Sequence, residues 1–176
     1  MSRMTLFASG LLLTAVFTLG CGQANDAAPS ARGETAAATN ANFVLAEKPT
    51  DAQGVAAARE SSEDAEQVTV TGRIGGSAAP FVDGIAAFTI VDPALAPCSA
   101  AEGCPTPWDY CCDTHLLKDN MATVKVVDAD AAVVAQDARQ LLGVEELATV
   151  VVVGKAERDE SGNLTILADK VHVVKN

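Results

Sequence analysis

The sequence predicts a mainly β domain of five short strands with one short helix between the third and fourth, carried on an exported N-terminal extension. Three observations lead there. From Gln67 the residues fall into period two, with Val68, Val70, Gly72 and Ile74 on one face and Thr69, Thr71 and Arg73 on the other. Turn signals then separate further short apolar runs: Asp83-Gly84, Asp92-Pro93, Asp128-Ala129-Asp130 and Asp159-Glu160-Ser161-Gly162-Asn163. Before all of this, residues 1–20 have the layout of an export signal.

In that signal, Arg3 is the short positive start. An apolar run follows through Leu6, Phe7, Leu11, Leu12, Leu13, Val16, Phe17 and Leu19, too short to span a bilayer comfortably. It ends in Thr18-Leu19-Gly20-Cys21, which resembles the lipobox of bacterial lipoproteins with the order of Thr18 and Leu19 exchanged. The resemblance implies that Cys21 receives lipid, palmitate included, and becomes the mature N-terminus. The protein is then expected in the cell envelope, anchored on the extracytoplasmic side. The alternative is ordinary cleavage after Gly22-Gln23-Ala24, giving a soluble secreted or periplasmic protein that starts at Asn25. No later apolar run is long enough for a transmembrane helix, so membrane contact is expected through the N-terminal lipid.

Twelve Lys and Arg face 23 Asp and Glu, a net charge of −11, and from Gln67 onward eight basic and fifteen acidic residues leave −7. Such a surface repels phosphates and argues against nucleic acid as a partner. Residues 21–42 are rich in Ala, Asn, Gly, Ser and Thr without an apolar period, and are expected to be a flexible linker. About twenty flexible residues reach roughly 25 Å, enough to hold a domain clear of a membrane surface. Residues 43–66 are expected to hold a short helix and a connector. Phe43-Val44-Leu45 is the first place where side chains can dock, and Thr50 or Asp51 is expected to cap a helix running to Arg59 or Glu60, with Val55 and Ala58 on one face.

The domain proper is expected over residues 67–176. After the first strand, Gly72, Gly75 and Gly76 allow a sharp bend or bulge. Ala86, Phe88 and Ile90 alternate inward on a second strand. Residues 93–120 are expected to be a long irregular stretch, and residues 122–127 a third strand that residues 132–135 can extend. Residues 137–142 are expected to form a short helix, with Ala138, Leu141 and Leu142 apolar and Gly143 as its stop. The unbroken valines of residues 149–153 suggest a fourth strand buried on both faces. Leu164, Ile166 and Ala168 alternate on the fifth strand, and the apolar parity then shifts to Val171 and Val173, which implies a bulge near Asp169-Lys170.

Two strands, a long connection, a strand pair, a short helix and two strands resemble the OB-fold over roughly residues 67–174. In that family a glycine-kinked first strand curls around a small Greek-key barrel and a helix sits between strands three and four. Gly72-Arg73-Ile74-Gly75-Gly76 and residues 138–143 stand where the kink and helix belong. The resemblance implies a binding role, often toward oligonucleotides or oligosaccharides on the face of strands two and three. The chain departs from the nucleic-acid version, with few aromatic candidates for stacking and only Arg73 and Lys125 as groove cations. An envelope protein or a glycan remains as a partner class.

The chemistry is concentrated in the long stretch at residues 93–120. Cys98, Cys104, Cys111 and Cys112 lie within fifteen residues, together with the only Trp and Tyr, Trp108 and Tyr110, and with His115. Setting Cys21 aside leaves an even number in an oxidising compartment, so the first expectation is two disulfides and no cofactor. Bonding adjacent Cys111 and Cys112 to each other needs a strained ring, so each is expected to pair separately with Cys98 or Cys104, in either arrangement. The segment has too few apolar residues of its own to fold without closure, since Leu95, Trp108, Tyr110, Leu116 and Leu117 are scattered among polar residues. The alternative is a soft-metal site for Cu or Zn drawn from Cys98, Cys104, Cys111, Cys112 and His115. A dithiol redox site lacks the usual C-x-x-C element. Asp109 and Asp113 flank the cysteines as a possible carboxylate pair, and His172 sits in the last strand as a structural or solvent-facing residue. No nucleophile elbow, phosphate-binding glycine loop or H-E-x-x-H occurs, so catalytic residues are not expected and the protein is not expected to be an enzyme.

Overall fold

A computed structural model describes residues 40–99, 101 and 103–175. The expected signal, Cys21 and nearly all of the expected linker lie outside the described residues. Among the described residues no helix is long and apolar enough to cross a membrane.

The elements in order are β1 (Gln53–Gly54), α1 (Val55–Ser61), β2 (Gln67–Ile74), β3 (Phe81–Val82), β4 (Ala87–Val91), α2 (Thr114–Asn120), β5 (Met121–Val126), α3 (Ala138–Leu142), β6 (Thr149–Arg158) and β7 (Leu164–Val173). The strands join in the order β1-β2-β6-β7-β5-β4-β3. A further pairing of β2 with β4, Arg73 opposite Val91 and Ile74 opposite Ile90, closes β2, β6, β7, β5 and β4 into a five-stranded barrel. The β5–β7 pair is parallel and the other barrel pairs are antiparallel. With α3 between the third and fourth barrel strands, this is the OB-like Greek-key arrangement expected from the strand order.

Period two builds the interior. Val68, Val70 and Ile74 from β2, Phe88 and Ile90 from β4, Ala122, Val124 and Val126 from β5, Val150 and Val152 from β6, and Leu164, Ile166, Ala168 and Val171 from β7 form one core. Val151 is also fully buried, so the valine run of β6 is covered on both faces as expected. The parity shift of β7 has the expected origin. Val153 pairs with Lys170 and Gly154 with Ala168, which leaves Asp169 bulged out. Gly154 is needed there, because a Cβ would stand 2.2 Å from the Leu167 carbonyl oxygen. Asp137 caps α3 by accepting from the Arg139 amide, and Gly143 ends the helix at φ 68°. At the last hairpin, Asp159 accepts from the Ser161 and Asn163 amides.

Several boundaries differ from expectation. Thr50 and Asp51 do not cap α1, which begins at Val55 behind Gly54. Its Ala56 amide is bonded instead by the carboxylate of Asp92, 2.9 Å away and 36 residues later. Asp92 also accepts from Ala94 and is itself buried. Gly54 permits this, since a Cβ there would lie 2.5 Å from the carboxylate. Residues 132–135 contribute only an isolated bridge between Val127 and Val133, and β6 runs on to Arg158. The long segment is not irregular throughout, because it contains α2. Val44 does dock, by a bridge to Val171, and His172 Nδ1 lies 3.0 Å from the Leu45 carbonyl, a structural contact.

Candidate functional site

The cysteine segment is closed at its neck, where the Asp92 amide donates to the Asn120 carbonyl at 2.8 Å. Between those ends it is seated on the outside of the barrel. Arg73, on the outward face of β2, donates to the Leu95 carbonyl at 2.9 Å and to the Tyr110 hydroxyl at 3.3 Å. The Gly76 amide donates to the Trp108 carbonyl at 2.8 Å, and the Trp108 indole donates to the Ala78 carbonyl at 3.1 Å. A Cβ on Gly75 would meet the Trp108 oxygen at 2.5 Å. Gly75 and Gly76 therefore do more than bend the strand: they let the backbone of the segment lie against it.

The apolar residues that look scattered in sequence converge. Tyr110 and Leu117 pack with Val91 of β4 into a second small core, with Leu95 and Met121 against it, while Leu116 stays exposed. The segment's few apolar residues thus fold against the barrel wall, which supplies the partners they lack among themselves. The cover lies where β4 ends and β5 begins, part of the face on which OB-folds usually take ligands. Beside it remains a cleft of about 340 Å³ that includes Arg59, Lys118, Thr123, Asn163 and Thr165. Arg73 is taken up by the segment and Lys125 lies 3.9 Å from Glu157, so neither expected groove cation heads a phosphate track.

A turn of 3-10 helix at Pro107–Asp109 ends on Tyr110, which has φ 56° and ψ 37°. A left-handed tyrosine costs about 1–3 kcal/mol, and here the buried ring offsets it. This turn directs Cys111 and Cys112 back toward Cys98. Asp109 fixes it, accepting from the Cys111 amide at 2.8 Å and from the Thr106 hydroxyl at 2.6 Å. The Thr106 bond and then the Cys111 amide hold its carboxyl below the usual range. Asp109 is thus a turn-former, and Asp113 stands at the N-cap of α2 without a side-chain capping bond. On the other arm, the Cys98 amide donates to the Pro107 carbonyl at 3.1 Å.

The result is a four-sulfur cluster. Cys111 Sγ lies 3.1 Å from Cys104 Sγ and 3.5 Å from Cys98 Sγ, and Cys104 Sγ lies 4.0 Å from Cys112 Sγ. All four sulfurs fall within 4.8 Å of one another, with Cys98 buried, Cys104 half-buried and Cys111 and Cys112 exposed. No pair of these sulfurs stands at disulfide distance in the structure. A disulfide needs one partner at about 2.05 Å. Every sulfur here instead has several neighbours. His115 is exposed on α2 and is not part of the converging set.

Hydrogen bonding among the four sulfurs shifts their acidities in opposite directions. A hydrogen bond from the Cys112 backbone lowers the Cys98 thiol pKa, with smaller help from the other cysteines. The bond shared with Cys111 raises Cys104, and the bond with Cys98 pushes Cys112 up to about 11. In Cys111 the bond with Cys104 pulls down, but Cys98, desolvation and Asp109 together leave it raised. Ionisation is thus favoured at Cys98 and opposed at the other three sulfurs. A bound cation would reverse that balance, since it lets several thiolates coexist.

No family model matches this chain, and no curated protein matches its sequence.

Proposed function

We propose that this is an exported, lipid-anchored cell-envelope protein whose OB-like domain binds one soft metal ion, Zn(II) or Cu(I), through Cys98, Cys104, Cys111 and Cys112, without a catalytic step. The observation that carries the metal reading is the mutual approach of four sulfurs within 4.8 Å. Thiolates at a Zn–S distance of about 2.3 Å on a tetrahedron stand about 3.8 Å apart. The three short separations, 3.1, 3.5 and 4.0 Å, bracket that value. Two independent disulfides require no such four-way meeting. Part of the usual OB ligand face is occupied by the cysteine segment, which favours the sulfurs over that face as the place where this domain binds.

The test is metal analysis of protein prepared under reducing conditions, followed by cobalt substitution. One ion per chain, with the charge-transfer bands of a tetrahedral cobalt–thiolate centre, is the expected result. Protein recovered from the envelope with two closed disulfides, and no metal uptake after reduction, would return the segment to a covalent clamp.

The location rests on the Leu19-Gly20-Cys21 junction. Cys21→Ser should release the protein from membranes or stop its maturation, as read by fractionation. A mature chain beginning at Asn25 without lipid mass would instead establish the soluble form.

A further inference from the structure

We propose that the four-sulfur site is also a redox-controlled release site, in which a small-molecule disulfide converts the metal thiolates into two protein disulfides and expels the ion; this rests on the metal-site reading above. Three observations carry it. First, the sulfurs are already within reach of new partners, with Cys104 and Cys111 at 3.1 Å. Second, Cys111 and Cys112 are exposed and Cys104 is half-buried, so an oxidant reaches three of the four ligands without opening the fold. Third, residues 93–117 contain no Lys or Arg but hold Glu102, Asp109 and Asp113. Four thiolates around a divalent ion make a centre of charge about −2, and the segment's one ammonium, Lys118, lies beyond these residues near the end of α2, in the cleft with Arg59. The guanidinium beneath the segment, Arg73, is committed to the Leu95 carbonyl and the Tyr110 hydroxyl. Sulfur in such a centre stays electron-rich and nucleophilic.

The chemistry balances as two exchanges. A protein thiolate attacks one sulfur of the small disulfide, forming a mixed disulfide and expelling one small thiolate. A neighbouring protein thiolate then attacks the protein sulfur of that mixed disulfide and expels the second. Two equivalents oxidise four protein thiolates, yield four small thiolates and leave the divalent ion without ligands. The shortest separation makes Cys104–Cys111 the first bridge. Cys98 and Cys112 then remain, themselves within 4.8 Å. This pairing also avoids a strained bond between adjacent Cys111 and Cys112.

The experiment loads the reduced protein with one equivalent of zinc and titrates it with oxidised glutathione. A chromogenic chelator reads released zinc, and non-reduced peptide mapping reads the bridges. The expected result is one zinc released for every four thiols lost. The Cys104–Cys111 peptide should appear before Cys98–Cys112, and a dithiol reductant should restore zinc binding. Zinc-loaded protein that keeps its metal and thiols in excess oxidant, while the metal-free form oxidises, would overturn the release proposal and leave the metal site standing. Reduced protein that takes up no zinc before oxidant is added strikes the metal reading itself.

Discussion

Replacing Cys98 by serine is expected to weaken zinc binding by more than about 100-fold, because loss of even an outer partner of a metal ligand costs about 10–100-fold. Cys98 is the decisive ligand for a structural reason. It is the buried member of the set, it comes from the arm opposite Cys111 and Cys112, and its amide is fixed to the Pro107 carbonyl. Its sulfur is also the one whose ionisation the surroundings favour, through the Cys112 backbone. A serine oxygen there is harder and far less acidic than a thiol, so it is a poor ligand for the ion even though it can still accept the Cys112 amide. A competition titration against a chromogenic chelator measures the loss. The wild-type domain should also gain about 2.7 kcal/mol of stability when free zinc is 100 times its dissociation constant, and the variant should lose that gain at the same zinc concentration. Equal affinity in the two proteins would remove Cys98 from the site.

Local rules made the barrel legible. Alternation in β2, β4 and β7 needs only the pleat to sort side chains inward, and Asp137 and Gly143 bracket α3 through contacts inside a few residues. The bulge at Asp169 is readable because one extra residue flips every later side chain to the other face. What escaped the sequence depends on contacts across long stretches of chain. The helix start at Val55 is set by Asp92, whose carboxylate arrives 36 residues later. The nearer Asp51 has φ 61° and belongs to the preceding turn. The second core unites Val91, Tyr110 and Leu117, whose spacing follows no period. No local pattern announces it.

The sulfur cluster was half legible. Four cysteines in fifteen residues mark the segment, and the choice between covalent and metal chemistry turns on geometry that spacing does not contain. A left-handed tyrosine and an aspartate turn bring Cys111 into reach of both Cys98 and Cys104. His115 illustrates the converse. Closeness in sequence suggested a ligand, yet α2 begins at Thr114 and His115 is exposed on that helix, outside the convergent set.

Tyr110 joins the barrel to the site, so truncating it should disable both. Its ring is 1 % exposed, fills the small core against Val91 and Leu117, and rests on Gly75. Removing a buried aromatic ring of this kind costs about 3–5 kcal/mol. The left-handed backbone strain persists in alanine, so nothing offsets the lost packing. The main barrel core does not contain Tyr110, and the loss should appear as local opening of the segment with the barrel intact. The amides to watch are Gly76, bonded to Trp108, and Cys98, bonded to Pro107. In Tyr110→Ala both should lose protection in hydrogen exchange while amides of β6 and β7 keep theirs. Zinc affinity should fall in parallel, since Cys98 and Cys111 are then no longer held at one place. Tyr110→Phe retains the ring and loses only the Arg73 contact, a hydrogen bond worth about 1 kcal/mol, so it should behave nearly as wild type. Protected Gly76 and Cys98 amides with unchanged zinc binding in Tyr110→Ala would show that the segment holds its shape without the second core and that the sulfurs do not depend on Tyr110 for their placement.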